Sequence, residues 1–173
     1  KKREHEADII TIPLKWYPVQ SILDSMMMGR MMDLSEVNGE KIDMVIAMKF
    51  PAFYVKHENK VIWLLHQHRQ AYDLWGTPYG DLEHMEGGKE VREIIKEHDI
   101  KYLGEARKIF TNAENTKNRL YKYNGLESEA LYHPPLNYEK LEYKELGDFV
   151  FYPSRIDQIK RQRVLVEAAR YLK

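Results

Sequence analysis

The chain has no cysteine, no excess charge of either sign and no long apolar run, and each absence excludes a class of protein. Without cysteine there is no disulfide framework and no thiolate metal site, which fits a reducing compartment. The 27 basic residues balance the 27 acidic ones, so no basic excess points to nucleic acid as the main partner. No run of about 18 apolar residues is present that could span a membrane.

Motifs for nucleotides, metals and nucleophiles are also missing. Neither a G-x-G-x-x-G fingerprint nor a P-loop occurs, and no motif surrounds a candidate serine nucleophile. His66 and His68 would lie on the same side of an extended segment, but no nearby acidic or histidine set completes a metal site. We therefore expect no metal and no cofactor.

Apolar runs of strand length alternate with stretches of helical period in the remainder of the chain. Strands are predicted at residues 7–13, 42–48, 61–65, 108–113, 129–133 and 149–152, and helices at 19–34, 89–97, 114–123 and 163–172. This alternation predicts an α/β domain with a mostly parallel sheet. The nearly continuous apolar run at 42–48 is typical of a parallel strand covered on both faces.

One strand ends abruptly in a cluster of polar and aromatic residues. The run 61–65 is followed by His66, His68, Arg69, Tyr72 and Trp75. Ligands of open α/β sheets bind beyond the carboxyl ends of the strands. This stretch is therefore a candidate site, and the alternative is an ordinary buried strand followed by a surface loop.

A basic loop precedes the last predicted helix. Arg155, Lys160 and Arg161 lie where a helix would begin, and helix N-termini favour anions such as a pyrophosphate. The alternative is a solvated basic turn. Pro134-Pro135 and the charged stretch after them indicate a domain boundary, with one domain at 1–136, a linker at 137–148 and the start of a second domain at 149–173. The first residue is not Met and the last helix has no stop signal, so we expect a piece of a longer protein.

Three stretches, taken in order, resemble the retaining glycosyltransferases with two Rossmann-like domains, glycosyl transferase group 1 (family 4, GT-B fold). Residues 109–116 are similar to that family's strand and helix start. Residues 131–136 carry its Tyr-x-Pro-Pro pattern, and residues 151–161 resemble its Ser-Arg-Leu-x-x-x-Lys-Arg signature, with isoleucine in place of leucine. The resemblance implies a Rossmann-like N-terminal domain that lacks its first strand, followed by the first β-loop-α unit of a second domain.

The resemblance also implies roles for individual residues. Arg155 and Lys160 would bind the diphosphate of a nucleotide sugar and stabilise the leaving nucleoside diphosphate, without a metal. His66 would be the active-site histidine that contacts the donor sugar or its phosphate in the cleft between domains. His68, Arg69, Tyr72 and Trp75 would be candidates for shaping the acceptor pocket.

The implied reaction is transfer of a sugar to a glycan or a lipid-linked acceptor, in the cytoplasm or at the inner face of the membrane. Because only half of the donor site is present, we expect residues 1–173 alone to be inactive. A non-catalytic binding domain for a nucleotide sugar or glycan, or a sugar epimerase of the same architecture, is the alternative. The sequence leaves open the sugar, the nucleotide, the acceptor and the oligomeric state.

Overall fold

Four parallel strands with helices packed against them form the framework of the first of two units. The computed structural model describes residues 5–171, and the first unit ends at Pro134 while the second begins at Pro135. The elements of the first unit are, in chain order, α1 (Gln20–Met31), β1 (Glu36–Val37), β2 (Glu40–Lys41), β3 (Val45–Lys49), β4 (Lys60–His66), α2 (Gly88–Gly104), β5 (Lys108–Thr111), α3 (Glu114–Asn124) and β6 (Glu129–Ala130). The predicted α/β class, with a parallel sheet and flanking helices, is confirmed.

The order of the strands explains why the helices share one face of the sheet. The order is β3-β4-β5-β6, and every pairing is parallel. Each right-handed crossover in such a series advances in the same direction, so all the connections lie on the same face. Ile95 of α2 and Leu120 of α3 accordingly belong to one core, together with Ile62 and Leu64 of β4. Helix α1 precedes the sheet, and its Ile22 packs in the same core.

Within residues 5–134, no helix covers the opposite face of the sheet. Ile62 and Leu64 are fully buried, whereas Val61 and Trp63, which alternate with them on β4, are only partly buried. Ile46 of β3, which pairs with Val61, is 56% exposed. The prediction that the strand at 42–48 is covered on both faces is therefore wrong, because helices cover only one face of this sheet.

Helices α2 and α3 match the sequence pattern, with one extension. Helix α2 was predicted to end near residue 97 but continues to Gly104, and Val91, Ile95, Asp99 and Leu103 form its buried stripe at intervals of four residues. Helix α3 ends at Asn124, and Gly125 follows with a φ of +67°, the left-handed conformation that suits glycine at a helix end.

Two predicted strands do not form among the described residues. Residues 7–13 pair with no strand of the described chain, and Ile9 is 93% exposed. Residues 149–152 are likewise unpaired, and Phe149 is 77% exposed. A strand needs a neighbour to satisfy its backbone groups, and neither segment has one within residues 5–171.

The described part of the second unit, up to residue 171, contains one short α-helix. Helix α4 (Gln162–Ala168) is followed by a 3-10 turn at Ala169–Tyr171, so the predicted helix at 163–172 is confirmed over most of its length. Its apolar side chains are not covered within the unit, since Val164 is 60% exposed and Val166 is 70% exposed. Further 3-10 turns lie at Tyr138–Lys140, in the predicted linker, and at Gln158–Lys160.

A buried lysine fixes the start of the central strand. Lys60 is 1% exposed, and its Nζ donates to the carbonyls of Phe53, Val55 and Tyr102 at 3.1, 3.2 and 2.8 Å. The same ammonium is 3.3 Å from the Glu105 carboxylate. Burial lowers the pKa of Lys60, and the charge of Glu105 opposes that effect. The ammonium thus joins β4, the turn before it and the end of α2.

Replacing this ammonium should destabilise the fold strongly. Lys60→Met keeps the aliphatic stem but leaves three carbonyls without their donor and leaves Glu105 with Arg30 as its remaining partner, so we expect the free energy of unfolding to fall by about 3 kcal/mol. Urea unfolding followed by circular dichroism measures it. Lys89→Met, on the exposed first turn of α2, is the matched control and should change stability by less than about 0.5 kcal/mol. Equal effects of the two substitutions would contradict the role of Lys60.

Candidate functional site

The carboxyl end of β4 presents His66, the first polar group of the candidate site. Its ring Nδ1 donates a 2.7 Å hydrogen bond to the backbone carbonyl of Gln67, which fixes the tautomer of the neutral ring. The remaining nitrogen, Nε2, is then the one with a free lone pair. Because the side chain is only partly buried, a ligand beyond the strand end could reach this nitrogen.

His68 lies two residues further on in a different environment. Its ring packs against Phe50 with the ring centroids 4.7 Å apart. Burial lowers the pKa of His68 from 6.5 to about 4, and the charge of Asp81 opposes the shift only in part. The ring is therefore neutral at pH 7. Its Nε2 is buried and has no hydrogen-bond partner among residues 5–171.

Two arginines share one carboxylate beside the histidines. Arg69 contacts Asp73 through both Nε and an NH2 nitrogen, at 3.0 and 2.6 Å, and an NH2 nitrogen of Arg119 from α3 lies 3.4 Å from the same carboxylate. Burial raises the pKa of Asp73, but the hydrogen bonds from Arg69 and the charge of Arg119 outweigh it, so the net pKa is below its usual value. The cluster therefore carries one excess positive charge.

A fully buried carboxyl group holds the loop after β4 from the core side. Asp99 of α2 is 0% exposed, and its two oxygens accept hydrogen bonds from the hydroxyls of Tyr54 and Tyr72. Burial raises the pKa of Asp99 from 3.8 to about 7, although both hydrogen bonds oppose the rise. Burial beside this group also raises the pKa of Tyr54 and of Tyr72.

Asn124 connects Tyr72 to the residue that follows His66. Its Nδ2 donates to the Tyr72 hydroxyl at 3.0 Å, and its Oδ1 accepts from Nε2 of Gln67 at 3.0 Å. Oε1 of Gln67 in turn accepts from Arg119 at 3.3 Å. A continuous hydrogen-bonded path therefore leads from the buried Asp99 to the arginine cluster, and it includes Gln67, the residue next to His66 in sequence.

Trp75 closes the predicted stretch. Its ring packs partly against the core, and the guanidinium carbon of Arg92 lies 4.5 Å from the ring centroid. Nε of Arg92 also donates to the Ala71 carbonyl at 2.9 Å. Arg92 of α2 thereby holds both the turn before Trp75 and the ring itself.

The side chains of Gln162 and Tyr152 donate hydrogen bonds to the basic loop of the second unit. Nε2 of Gln162 donates to the Ser154 hydroxyl oxygen at 2.8 Å and to the Arg155 carbonyl. The Lys160 carbonyl accepts from the hydroxyl of Tyr152 at 2.5 Å. The side chains of Arg155 and Lys160 are exposed, so their charges are presented to solvent on a loop whose shape is fixed.

The predicted site residues fall into groups with different surroundings. His66 and Arg69 are partly exposed at the strand end, and Trp75 lies under Arg92. Tyr72 is only 5% exposed, and its hydroxyl is occupied by Asp99 and Asn124. Tyr72 therefore holds the loop after β4 from the core side and is not open to a ligand. Arg155 and Lys160 belong to the second unit.

Sequence reasoning missed several residues of this network, among them Gln67, Asp99, Arg119 and Asn124. Gln67, Arg119 and Asn124 had no pattern to mark them as parts of a site. Asp99 did leave a signal, because it occupies the apolar stripe of α2 between Ile95 and Leu103. A carboxylate in such a position has to be paired or protonated.

A depression of about 530 Å³ lies near the amino end of β4, opposite to the end that presents His66. Asp33, Lys41, His57 and Glu58 are among the residues that line it. Residues 57 and 58 precede β4, whereas ligands of open α/β sheets bind at the carboxyl ends. This depression therefore gives less reason to expect a ligand than the His66 end does.

Searches of the described residues for metal clusters and membrane helices gave no candidates. Within residues 5–171, no group of three or more His, Asp or Glu side chains is arranged to hold a metal ion. In the same range, no helix has the length and apolarity needed to cross a bilayer. Comparison with models of protein families, with curated proteins and with solved structures found no match.

The buried carboxyl group predicts an unusual dependence of stability on pH. Asp99 in the folded chain keeps its proton up to a pH of about 7, whereas an ordinary aspartate loses it near 3.8. Between these values the folded state binds more protons than the unfolded state, so Asp99 stabilises the fold below about pH 4 and this contribution is lost as the pH rises through 7. Asp99→Asn keeps a neutral group and removes the titration.

We expect the free energy of unfolding of the unsubstituted chain, minus that of Asp99→Asn, to fall by roughly 2–4 kcal/mol from pH 4 to pH 7. Urea unfolding at a series of pH values measures the difference. Asp43→Asn, at an exposed position, is the control and should give a difference with little dependence on pH. Parallel pH curves for Asp99→Asn and the unsubstituted chain would show that Asp99 does not titrate in this range.

Proposed function

We propose that this chain belongs to a retaining glycosyltransferase that moves a sugar from a nucleotide diphosphate sugar to a glycan or lipid-linked acceptor. The observation that carries the proposal is the position of His66 at the carboxyl end of the central parallel strand, with Nε2 open and a positively charged cluster nearby. That end of an α/β sheet is where ligands bind. The Rossmann-like character of the domain is part of the same proposal.

The donor diphosphate is assigned to the basic loop of the second unit. Arg155 and Lys160 are exposed, while their carbonyls hold the loop through Gln162 and Tyr152. Because these hydrogen bonds hold the backbone of the loop, the conformational entropy lost on binding a diphosphate is mainly that of the two side chains. In transfer, the bond between the sugar and the diphosphate breaks with its electron pair on the diphosphate oxygen, the acceptor oxygen bonds to the sugar, and the proton of the acceptor hydroxyl passes to the departing diphosphate. The two cations would stabilise the negative charge of the leaving nucleoside diphosphate.

His66 is assigned to the reacting sugar or its phosphate. Its Nδ1 is committed to the Gln67 carbonyl, so the neutral ring offers a hydrogen-bond acceptor at Nε2 and the protonated ring offers a donor there. Gln67, which is fully buried and bonded to Asn124, holds the carbonyl in place. The ring orientation is therefore set before any ligand binds, which lowers the cost of binding.

Removal of either cation of the basic loop should weaken donor binding. Because a hydrogen bond to a charged group contributes about 1.5–3 kcal/mol, Arg155→Ala and Lys160→Ala should each raise the Kd for a nucleotide diphosphate sugar about tenfold or more. Isothermal titration calorimetry of the full-length protein with uridine, guanosine and adenosine diphosphate sugars measures the change.

Lys140→Ala is the matched control, since Lys140 is an exposed lysine of the same unit outside the basic loop. It should leave the Kd unchanged. Unchanged affinity in both Arg155→Ala and Lys160→Ala would defeat the assignment of the diphosphate to this loop. Tight donor binding without transfer to any acceptor would favour the non-catalytic binding domain instead.

His66→Ala should act mainly on the rate of transfer. If the ring contacts the reacting sugar, its loss should lower kcat on the order of 100-fold, with a smaller change in donor Kd. Steady-state assays combined with calorimetry separate the two effects. His84→Ala, an exposed histidine outside β4, is the control. A kcat that is equal in His66→Ala and the unsubstituted enzyme would remove His66 from the reaction.

A further inference from the structure

Four buried side chains connect the core of the first unit to the carbonyl that holds His66. Tyr72 donates to Oδ2 of Asp99 at 2.8 Å. Asn124 donates to the Tyr72 hydroxyl and accepts from Gln67, at 3.0 Å in each case. All four side chains are buried. The path of hydrogen bonds from Asp99 to Gln67 therefore lies out of solvent, and the backbone carbonyl at its last residue accepts from His66.

All the bonds of this path run in the same direction, and the direction is set at its outer end. Arg119 donates to Oε1 of Gln67 at 3.3 Å, and a guanidinium can donate but cannot accept. Nε2 of Gln67 is therefore the end of the amide that faces Asn124. Nδ2 of Asn124 then faces Tyr72, whose hydroxyl proton is left for Asp99. Turning either amide round would lose hydrogen bonds, so the path has a single arrangement.

The carbonyl of Gln67 has a fixed direction because it is held on both sides. The Gln67 side chain is fully buried and bonded to Asn124. On the other side of the peptide group, the ring of His68 packs against an aromatic ring of the core. Since the peptide group itself is planar and rigid, its oxygen stays where Nδ1 of His66 donates to it at 2.7 Å.

This carbonyl decides which nitrogen of His66 carries the proton. The ring is only partly buried, and a ring that turns into water is not held in one tautomer. The bond to the carbonyl keeps the proton on Nδ1 and leaves the lone pair on Nε2. In the proposed function, that lone pair faces the reacting sugar or its phosphate.

We propose that Tyr72, Asn124 and Gln67 are positioning residues for His66, which fix its ring through the Gln67 carbonyl without touching a substrate. As a statement about sugar transfer, the proposal rests on the proposed function. As a statement about the tautomer of His66, it rests on the hydrogen bonds of the first unit alone. It gives Tyr72 a part in the support of the site instead of a part in the acceptor pocket.

Two tyrosines allow a matched test, because both donate to the same carboxyl group. Tyr72→Phe and Tyr54→Phe each remove one hydrogen bond to Asp99 and keep the aromatic ring, but only Tyr72 belongs to the path that reaches Gln67. A purely structural role of Tyr72 would give the two substitutions the same effect. Asn124→Ala interrupts the path at its next residue, and it decides the question if Tyr72→Phe does not fold.

The readout is the tautomer of His66 in chain 1–173, labelled with ¹⁵N-histidine. The signals of His66 are those that disappear in His66→Ala. At about pH 9, where histidine rings are neutral, the unsubstituted chain should hold the proton mainly on Nδ1. Tyr72→Phe and Asn124→Ala should each lower the ratio of the Nδ1–H form to the Nε2–H form about three- to tenfold. Tyr54→Phe should change this ratio less than about twofold.

Three outcomes would overturn the proposal. One is an unchanged ratio in Tyr72→Phe and Asn124→Ala, when both are folded by circular dichroism. Another is a ratio that Tyr54→Phe lowers as much as Tyr72→Phe does. The third is an unsubstituted chain in which His66 carries its proton mainly on Nε2.

Transfer assays on the full-length protein separate the positioning role from the proposed function. There, kcat should be about tenfold lower in Tyr72→Phe than in Tyr54→Phe, with equal donor Kd. A tautomer ratio that depends on Tyr72, without nucleotide-sugar binding or transfer, would keep the positioning role and defeat the transferase. A kcat that is lost in His66→Ala but equal in the two tyrosine variants, with an unchanged ratio, would keep the transferase and defeat the positioning role.

Discussion

The interaction on which the candidate site depends is the burial of the Asp99 carboxyl group between two tyrosine hydroxyls. A buried carboxyl group is costly unless it is hydrogen-bonded or neutral, and here Tyr54 and Tyr72 bond to its two oxygens while burial raises its pKa to about 7. Movement of Tyr72 out of the core would therefore remove one of the two hydrogen bonds to the buried carboxyl group. Because Tyr72 belongs to the loop after β4, the position of this loop is fixed from the interior of the domain.

The sheet imposes a second constraint, which comes from its topology. Four parallel strands laid down in one direction bring α2 and α3 to one face, where α1 packs in the same core. Side chains on the other face are half-buried, such as Trp63, or exposed, such as Ile46. A parallel sheet normally has both faces covered. The loop after β4 is nevertheless held by buried side chains, since Asp99, Asn124 and Gln67 are all buried and connected by hydrogen bonds through Tyr72.

The parts of the fold that follow from local pattern were predictable, and those that depend on a distant partner were not. The alternation of apolar runs and helical periods gave four strands and the helices between them. Residues 7–13 and 149–152 have equally strand-like compositions but remain unpaired among the described residues, because pairing is a property of two segments. No local pattern indicates that Lys60 is buried, and its hydrogen bonds to the carbonyls of Phe53, Val55 and Tyr102 offset the cost of that burial.

The candidate site shows the same division, and its two histidines show it most clearly. A spacing of two residues indicated equivalent positions, yet His66 has an open Nε2 beyond the strand end, while His68 is neutral and packs against Phe50, with its Nε2 buried. Burial, which no spacing reveals, makes the difference. A ligand beyond the end of β4 can reach the free nitrogen of His66, whereas the surrounding residues keep a ligand from Nε2 of His68. Contact with a ligand is therefore suited to His66, and packing of the loop after β4 is suited to His68.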